Sequence, residues 1–520
     1  MDGATKIVSV HPHVFLIWDV ADFKCSLSFI DPVNVMSPYW LNNSCSPFTA
    51  QNASCVLGNI ASYAINVSSV NDVAAGVRFA KQNNVRLVIK NTGHDFLGRS
   101  TGQGSLSLWT HNLKSITVTN YTSLDYKGPA IKLGAGVQAY EVYAAAANQG
   151  LRVTGGFCPT VGLVGGYVQG GGHGPLSGKY GLGADNTLEF EVVTGEGKYL
   201  VASPTRNKDL FWALNGGGGG TYAVVLSQTT RAHADGIVAG ASLTFNNTND
   251  NAYWAAVEAW QKLLLNLDKV PGANTFWGFT NETFTLYSAI LPDADASAIA
   301  ALLDPFAKRL ADLNLPHTYE TNSKPNYYQH FALYTPGLPF GAYVTNSVLG
   351  GRLIPRSTVQ ANLPALLAIF RNITTGGSTV NPLTNNHPFR INGIASNVSH
   401  TRVGNRPGSN SINPAWRDSL YWLNMDVYYD PTRLDIISAL QVQMNVNEGL
   451  FRTLTPGGGA YINEGTFDNP AWKQDYFGKN YGRLLKIKER YDPWQLFYGP
   501  ASVGSDRWVA AADGRLCKRK

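Results

Sequence analysis

The sequence predicts an α+β fold in two folded parts, the first of them discontinuous. Three observations carry this. Residues 59–233 mix short apolar strands with amphipathic helices and are dense in glycine-rich loops. From about Ala234 the texture changes: residues 234–454 carry long helix-like stretches flanking alternating segments, the pattern of an antiparallel sheet backed by helices. Residues 455–520 again carry short motifs, from Tyr461 on, and are expected to return to the first part. At 520 residues the chain has room for two sizeable cores.

Taken in order, residues 1–58 read as an irregular extension. Val14-Phe-Leu-Ile-Trp18 is apolar, but Asp19 and Asp22 interrupt it, so no signal-peptide core is read. Tyr63–Val67 alternates like a strand, and Val70-Asn-Asp72 opens an amphipathic helix reaching Gln82. Arg86–Ile89 is a buried-strand signal; Leu106–Leu108, Ile116–Val118 and Ala130–Leu133 continue as short strands. Tyr140–Gln149 reads as a helix with Gly150 as its C-cap. Leu188–Val193 is a strand, and Asp209–Leu214 a short helix before the run Gly216–Gly220. In the second part, helices at Ala252–Leu267 and Ala296–Leu313 flank a hairpin at Thr275–Ile290, and Leu420–Tyr429 alternates as a strand.

Composition narrows the function. Charged residues make up only 15% and the net charge is +6, with basic residues scattered apart from the tail Arg515–Lys520, so a nucleic-acid site is not expected. No stretch is long enough to span a membrane. Five cysteines and eight Asn-x-Ser/Thr sequons (Asn42, Asn52, Asn66, Asn120, Asn246, Asn281, Asn372 and Asn397) favour a secretory route.

Two loops hold the chemistry. Lys90-Asn-Thr-Gly-His94-Asp-Phe-Leu-Gly98 and Gly155-Gly-Phe-Cys158-Pro-Thr-Val-Gly162 each set a nucleophilic side chain among glycines. The second runs on through Gly165-Gly166 to Gly170-Gly171-Gly172-His173-Gly174. Bare backbone lets a large flat or phosphate-bearing ligand approach closely, and an imidazole and a thiol beside it point to a covalently held cofactor. Two competing motifs are weaker. Gly134-Ala-Gly136-Val-Gln-Ala139 has dinucleotide spacing but no acid about 20 residues on. Gly174-Pro-Leu-Ser-Gly178-Lys179-Tyr180 is one residue short of a phosphate loop and ends in Tyr.

These strings, with Tyr180-Gly-Leu-Gly, Asp185-Asn186, Asp209–Gly220 and Tyr491-Asp-Pro493 to Phe497, resemble the berberine-bridge-enzyme-like flavoproteins of the vanillyl-alcohol-oxidase superfamily. Arg86–His94 and Gly504–Cys517 are most similar to its fungal isoamyl-alcohol-oxidase-like branch. The resemblance implies a two-subdomain PCMH-type FAD-binding domain, discontinuous in sequence, and a separate substrate domain. It implies FAD bonded through both His94 and Cys158. Asn91, Thr92, Gly93, Gly98 and the glycines Gly156, Gly162, Gly166, Gly170, Gly171, Gly172 and Gly174 would cradle it, joined by Asp185, Asn186, Gly219 and Val224. A disulfide between Cys45 and Cys55 is expected from relatives, which leaves Cys25 with Cys517 as a residual pairing.

The expected reaction is hydride transfer from a C–OH or activated C–H of a small organic molecule to FAD, with O2 re-oxidising the flavin to give H2O2. An oxidative cyclase, a carbohydrate oxidase and a flavin-bearing binding protein without turnover are the alternatives; a monomer is expected. Many relatives carry Tyr-x-Asn-Tyr with the last Tyr as base, whereas this chain reads Tyr461-Ile-Asn463-Glu464. Many also have Tyr after the triple glycine, where this chain has His173. Glu464 and His173 are therefore expected to share the proton-handling task, with Tyr461 the next candidate base. Val161, three residues after Cys158, would front the flavin face where O2 approaches, and its modest size favours an oxidase.

Overall fold

The computed structural model describes residues 51–339, 346–375, 388–430, 433–511 and 515–519, apart from Ala53 and Cys55. The extension before residue 51 and the expected Cys45–Cys55 bridge lie outside the described residues. Cys517 is exposed and free among the described residues, and Cys25, its expected partner, lies outside them.

The first part is built on two sheets. Strands β1 (Tyr63–Asn66), β2 (Leu87–Lys90) and β3 (Leu106–Trp109) form a parallel sheet with β3 in the middle. Helix α1 (Val70–Gln82) makes the crossover from β1 to β2. Ser69 and Asp72 close a capping box at its start, and Val73, Ala74, Val77 and Ala80 bury its apolar face. Strands β4 (Ile116–Thr122) and β5 (Lys127–Gly134) begin the second sheet. Helix α2 (Ala139–Ala147) ends at Asn148, two residues before the expected Gly150, which takes φ +65° just beyond. After β6 (Leu151–Arg152) come β7 (Thr187–Thr194), β8 (Tyr199–Ala202), helix α3 (Lys208–Leu214) and β9 (Ala223–Arg231). The second sheet is antiparallel in the order β4-β5-β9-β7-β8. β10 (His233–Ala234) pairs with β6.

The second part is a seven-stranded antiparallel sheet. Its strands are β11 (Val238–Asn246), β12 (Asn274–Phe279), β13 (Thr283–Pro292), β14 (His317–Lys324), β15 (Ser347–Pro355), β16 (Arg390–Ser396) and β17 (Ser419–Tyr428), in the order β14-β11-β13-β12-β16-β17-β15. The expected hairpin is the β12–β13 pair. Helices α4 (Asp250–Leu267), α5 (Ala296–Asp312), α6 (Leu363–Thr375) and α7 (Ile437–Leu454) cover one face. Trp260 is the hub of that core, 5.2 Å from Phe306, 5.4 Å from Phe284 and 6.3 Å from Trp277 between ring centroids. Along β17, Leu423, Met425 and Val427 belong to this core. Trp422, Asn424 and Asp426 alternate with them and are also buried: Trp422 joins the core of the first part, and Asp426 pairs with Arg390 and accepts from Asn392 on β16.

The C-terminal segment returns to the first part, as its motifs lead one to expect. Helix α8 (Tyr481–Tyr491) buries Lys488, whose Nζ donates to Thr221 O, Phe497 O and Asp492. Asp492 accepts from the backbone N–H groups of Leu496 and Phe497, and Phe497 bridges to Leu87 on β2. The buried ion pair thus folds the last segment onto the first sheet. Among the described residues no helix is long and apolar enough to cross a membrane.

Candidate active site

A cavity opens between the two sheets of the first part and is closed by the C-terminal segment. Its walls include His94, Cys158, Val161, Tyr461, Glu464 and Phe497. The loop after β2 turns at Gly93 (φ +88°) and Gly98 (φ +77°), a backbone region that favours glycine, and this aims His94 inward. The loop carrying Cys158 docks on the N-terminus of α2. Ala139 N donates to Val161 O at 3.0 Å and Tyr140 N to Pro159 O at 2.9 Å. Thr160 ties the two loops together: its carbonyl accepts from Gln138 Nε2, and its hydroxyl is hydrogen-bonded to His94 Nε2 at 2.7 Å. Burial pushes the His94 imidazole down to about 4, so it is uncharged at neutral pH and keeps its nucleophilic lone pair.

Asn91, Thr92, Gly93, Gly162, Gly166 and Gly219 line the cavity, as the resemblance implies. A Cβ added at Gly166 would meet nothing within 4 Å, so it would stand in the cavity itself. Asn91 Oδ1, Tyr167 Oη, Gln169 Oε1 and Arg99 Nη2 are buried without a hydrogen-bond partner in the protein, and all four residues line the cavity. A broad glycine-floored cleft with several orphaned polar atoms fits a large, flat, polyfunctional cofactor such as FAD. Arg99 was not expected, and Tyr167 and Gln169 lie within the expected Gly156–Gly174 string without having been singled out. Arg99 and Gln169 were visible as polar residues inside glycine-rich strings.

Other expected cofactor residues do not line this cavity. Gly98, Gly156, Gly170, Gly171, Gly172 and Gly174 serve the loops that shape it. A Cβ on Gly174 would lie 1.7 Å from Gly155 O, and one on Gly170 2.3 Å from Asn463 Oδ1. Gly156 and Gly172 leave room for the Tyr167 ring. Val224 faces away into the core under the first sheet, because strand alternation turns its neighbours Ala223 and Val225 toward the cavity. Asp185 is a staple: it pairs with Arg417 at 2.8 Å and accepts from Asn405 and Asn410. Asn186 holds its own turn, donating to Tyr180 O and Leu182 O. The two competing motifs are engaged in packing. Gly134 and Gly136 admit the backbone of Leu113 and His111, and Lys179 pairs with Asp293.

Glu464 and His173 meet as expected, with Glu464 Oε1 2.9 Å from His173 Nε2. Only Glu464 lines the cavity; His173 stands behind it, ringed by Phe157, Trp416 and Tyr461. Burial raises the proton affinity of the Glu464 carboxyl. The charge and hydrogen bond of His173, and a hydrogen bond from Trp422, outweigh that and hold it below the usual range. Burial, then the Glu464 charge, pushes the Tyr461 phenol far up, so Tyr461 is a poor base. The cavity is lined by two carboxylates: Glu464, held by His173 and Trp422, and Asp95, which accepts from the Arg99 backbone N–H.

A family model described as FAD binding domain matches residues 61–203, and one described as berberine and berberine like matches residues 460–504. The chain is 43% identical over 513 residues to the VAO-type flavoprotein oxidase VAO615 of Thermothelomyces thermophilus, covering 96% of this chain and 85% of that protein. It is 42% identical over 503 residues to the bifunctional decalin synthase calF of Penicillium decumbens, covering 93% and 83%. The crystal structure of the VAO-type flavoprotein MtVAO615 from Myceliophthora thermophila C1 superimposes with a TM-score of 0.87 at 41% identity, covering 97% of this chain and 92% of that one. The glucooligosaccharide oxidase of Acremonium strictum, described with 6-S-cysteinyl, 8α-N1-histidyl FAD, shares the fold at TM-score 0.68 and 20% identity, covering 86% and 92%. With both family segments in place and near full-length identity to such proteins, the chain belongs to the berberine-bridge-like, VAO-type FAD-linked oxidoreductases.

Proposed function

We propose that the protein is an oxidase whose FAD is bonded through His94 and Cys158 and whose base is Glu464. The observation that carries it is the ionised Glu464 carboxylate on the cavity wall, held by His173. FAD held by His94 and Cys158 would supply the hydride acceptor for the substrate carbon, with O2 as the final oxidant and H2O2 as its product. His94 and Cys158 stand on the same cavity as Glu464, which supports a double attachment like that described for the glucooligosaccharide oxidase. Glu464 takes the hydroxyl or carbon-bound proton, and His173, withdrawn from the cavity, orients the carboxylate. Val161 on the wall leaves room for O2.

The substrate is a small organic molecule. Phe157, beside Cys158, begins a half-buried aromatic strip that crosses to Phe276 (5.3 Å) and Tyr287 (4.8 Å) on the sheet, which suits an apolar or aromatic body. The likeness to a decalin synthase favours a second reading, oxidation followed by ring closure. The motif texture supports the fungal isoamyl-alcohol-oxidase-like branch. Exposed sequon asparagines at Asn52, Asn66, Asn120, Asn246 and Asn372 support secretion of a glycosylated protein. Asn397, by contrast, spends its amide on Asp268.

Two experiments test the proposal. Acid-precipitated protein should stay yellow, and His94→Ala or Cys158→Ala alone should keep the flavin through the other bond; release of all flavin from wild type would refute the attachment. Anaerobic mixing with alcohols and aromatic or polyketide-like metabolites should bleach the flavin, and admitting O2 should restore it with H2O2. Product analysis then separates a carbonyl from a cyclised product.

A further inference from the structure

Glu464 is gripped from two sides by two parts of the chain. Its Oε1 faces His173 on the glycine-rich loop, and its Oε2 accepts a hydrogen bond from Trp422 Nε1 at 2.8 Å. Trp422 stands on β17 of the seven-stranded sheet and is fully buried. Its ring lies 5.9 Å from Tyr461 and 6.4 Å from Trp416, and Trp416 stacks on His173 at 6.2 Å. The Asp185–Arg417 pair, adjacent in sequence to Trp416, anchors this aromatic shell to the first part. The indole therefore has little freedom to turn away.

An indole N–H only donates, so it favours a bare carboxylate oxygen over a protonated one. The titratable groups packed against Glu464 are His173 from the loop and Tyr461 from its own segment. The sheet's nearest charges along β17, Asp426 with Arg390, are closed on each other at 2.7 Å. Trp422 is thus the sheet's contact with the base, and it is uncharged.

We infer that Trp422 is a positioning residue: its indole N–H fixes the orientation of the Glu464 carboxylate toward the cavity and keeps it unprotonated, tying the base to the substrate sheet. This rests on Glu464 being the base. With both oxygens held, the carboxylate cannot rotate about its last bond, and a substrate proton must approach one defined edge of it.

The test uses the flavin-loaded enzyme and needs no substrate. Infrared spectra are recorded across pH for wild type, Glu464→Gln, Trp422→Phe and a variant with benzothienylalanine at position 422. That last variant keeps the fused rings and loses only the N–H. The Glu464 carboxyl band is the one missing from Glu464→Gln. Its titration midpoint should rise by about one unit or more in both position-422 variants, the size expected for losing a hydrogen bond to a charged group. Flavin content should stay at the wild-type level. An unmoved midpoint in the benzothienylalanine variant overturns the role of Trp422, even if Trp422→Phe misfolds. Failure of the base assignment shows separately, as a wild-type rate of anaerobic flavin reduction in Glu464→Gln.

Discussion

The glycine loops and the seven-stranded sheet wall the catalytic region in different ways. In the loops the backbone does the shaping: a Cβ on Gly162 would lie 2.1 Å from Asn91 Oδ1, and one on Gly219 2.8 Å from Gly166 Cα. On the sheet, side chains do it. One face of β17 sends Leu423, Met425 and Val427 into an aromatic and aliphatic core, and the other sends Trp422 to the base. A fixed cofactor can be met by fixed backbone, and backbone contact demands one residue type. A substrate is met by side chains, which many residues can supply. Damage to the two walls should therefore look different.

The largest expected effect lies where the walls meet. Glu464→Gln keeps the shape and removes the base, so anaerobic flavin reduction should slow by about 10²–10⁴-fold while flavin content holds. Stopped-flow reduction measures it, and a loss smaller than tenfold would break the assignment. Next comes the core of the sheet. Trp260→Ala should destabilise by about 3–5 kcal/mol, read from denaturant unfolding, yet leave acid-stable flavin in the folded fraction. If it also abolished attachment, the two walls would not be separable.

Acid should act more broadly. Burial, then nearby Arg152 and Arg231, holds His233 down to about 4; burial, then Lys324, holds His330 down to about 3. The unfolded chain binds these protons below about pH 6.5, whereas the native protein resists them until about pH 4 and 3. Their stabilisation is complete above pH 6.5 and is lost as pH falls through that window, so Tm should decline there. His330→Leu should flatten the slope. The smallest effect on folding belongs to Gly166→Ala. Its added carbon enters open space, so the flavin-free protein should lose no more than about 0.5 kcal/mol. Its flavin incorporation should nevertheless fall, measured by the ratio of flavin to protein absorbance.

The same contrast explains what could be read from the chain alone. His94 and Cys158 stood out because they sit in glycine-rich loops, and Glu464 and His173 because they depart from the family's tyrosines; the structure brings the four to one cavity and its immediate backing. Asp185, Asn186 and Val224 entered the cofactor set through the family resemblance. A resemblance in sequence does not tell which side of a turn or strand faces the cleft, and the Asp185 carboxylate pairs with Arg417. Trp422 was visible only as one apolar position in an alternating strand. Alternation tells that Trp422 and Leu423 point opposite ways, but not that Glu464, 42 residues later, waits on one side. Helices α6 and α7 went unread because apolar spacing in a thick core looks alike in helix and strand over short windows.

The closure by Lys488 and Asp492 sets an order on the making of the protein. His94 and Cys158 leave the ribosome early, but Tyr461, Glu464 and Phe497 complete the same cleft. At about 5–20 residues per second, roughly 340 residues separate Cys158 from Phe497, an interval of about 17–70 s. During it the nascent chain exposes a reactive thiol and an imidazole in an unfinished cleft. Enclosure of the flavin must therefore await translation through Phe497. A messenger truncated before Phe497 should yield a colourless product, however well its early sheets have folded.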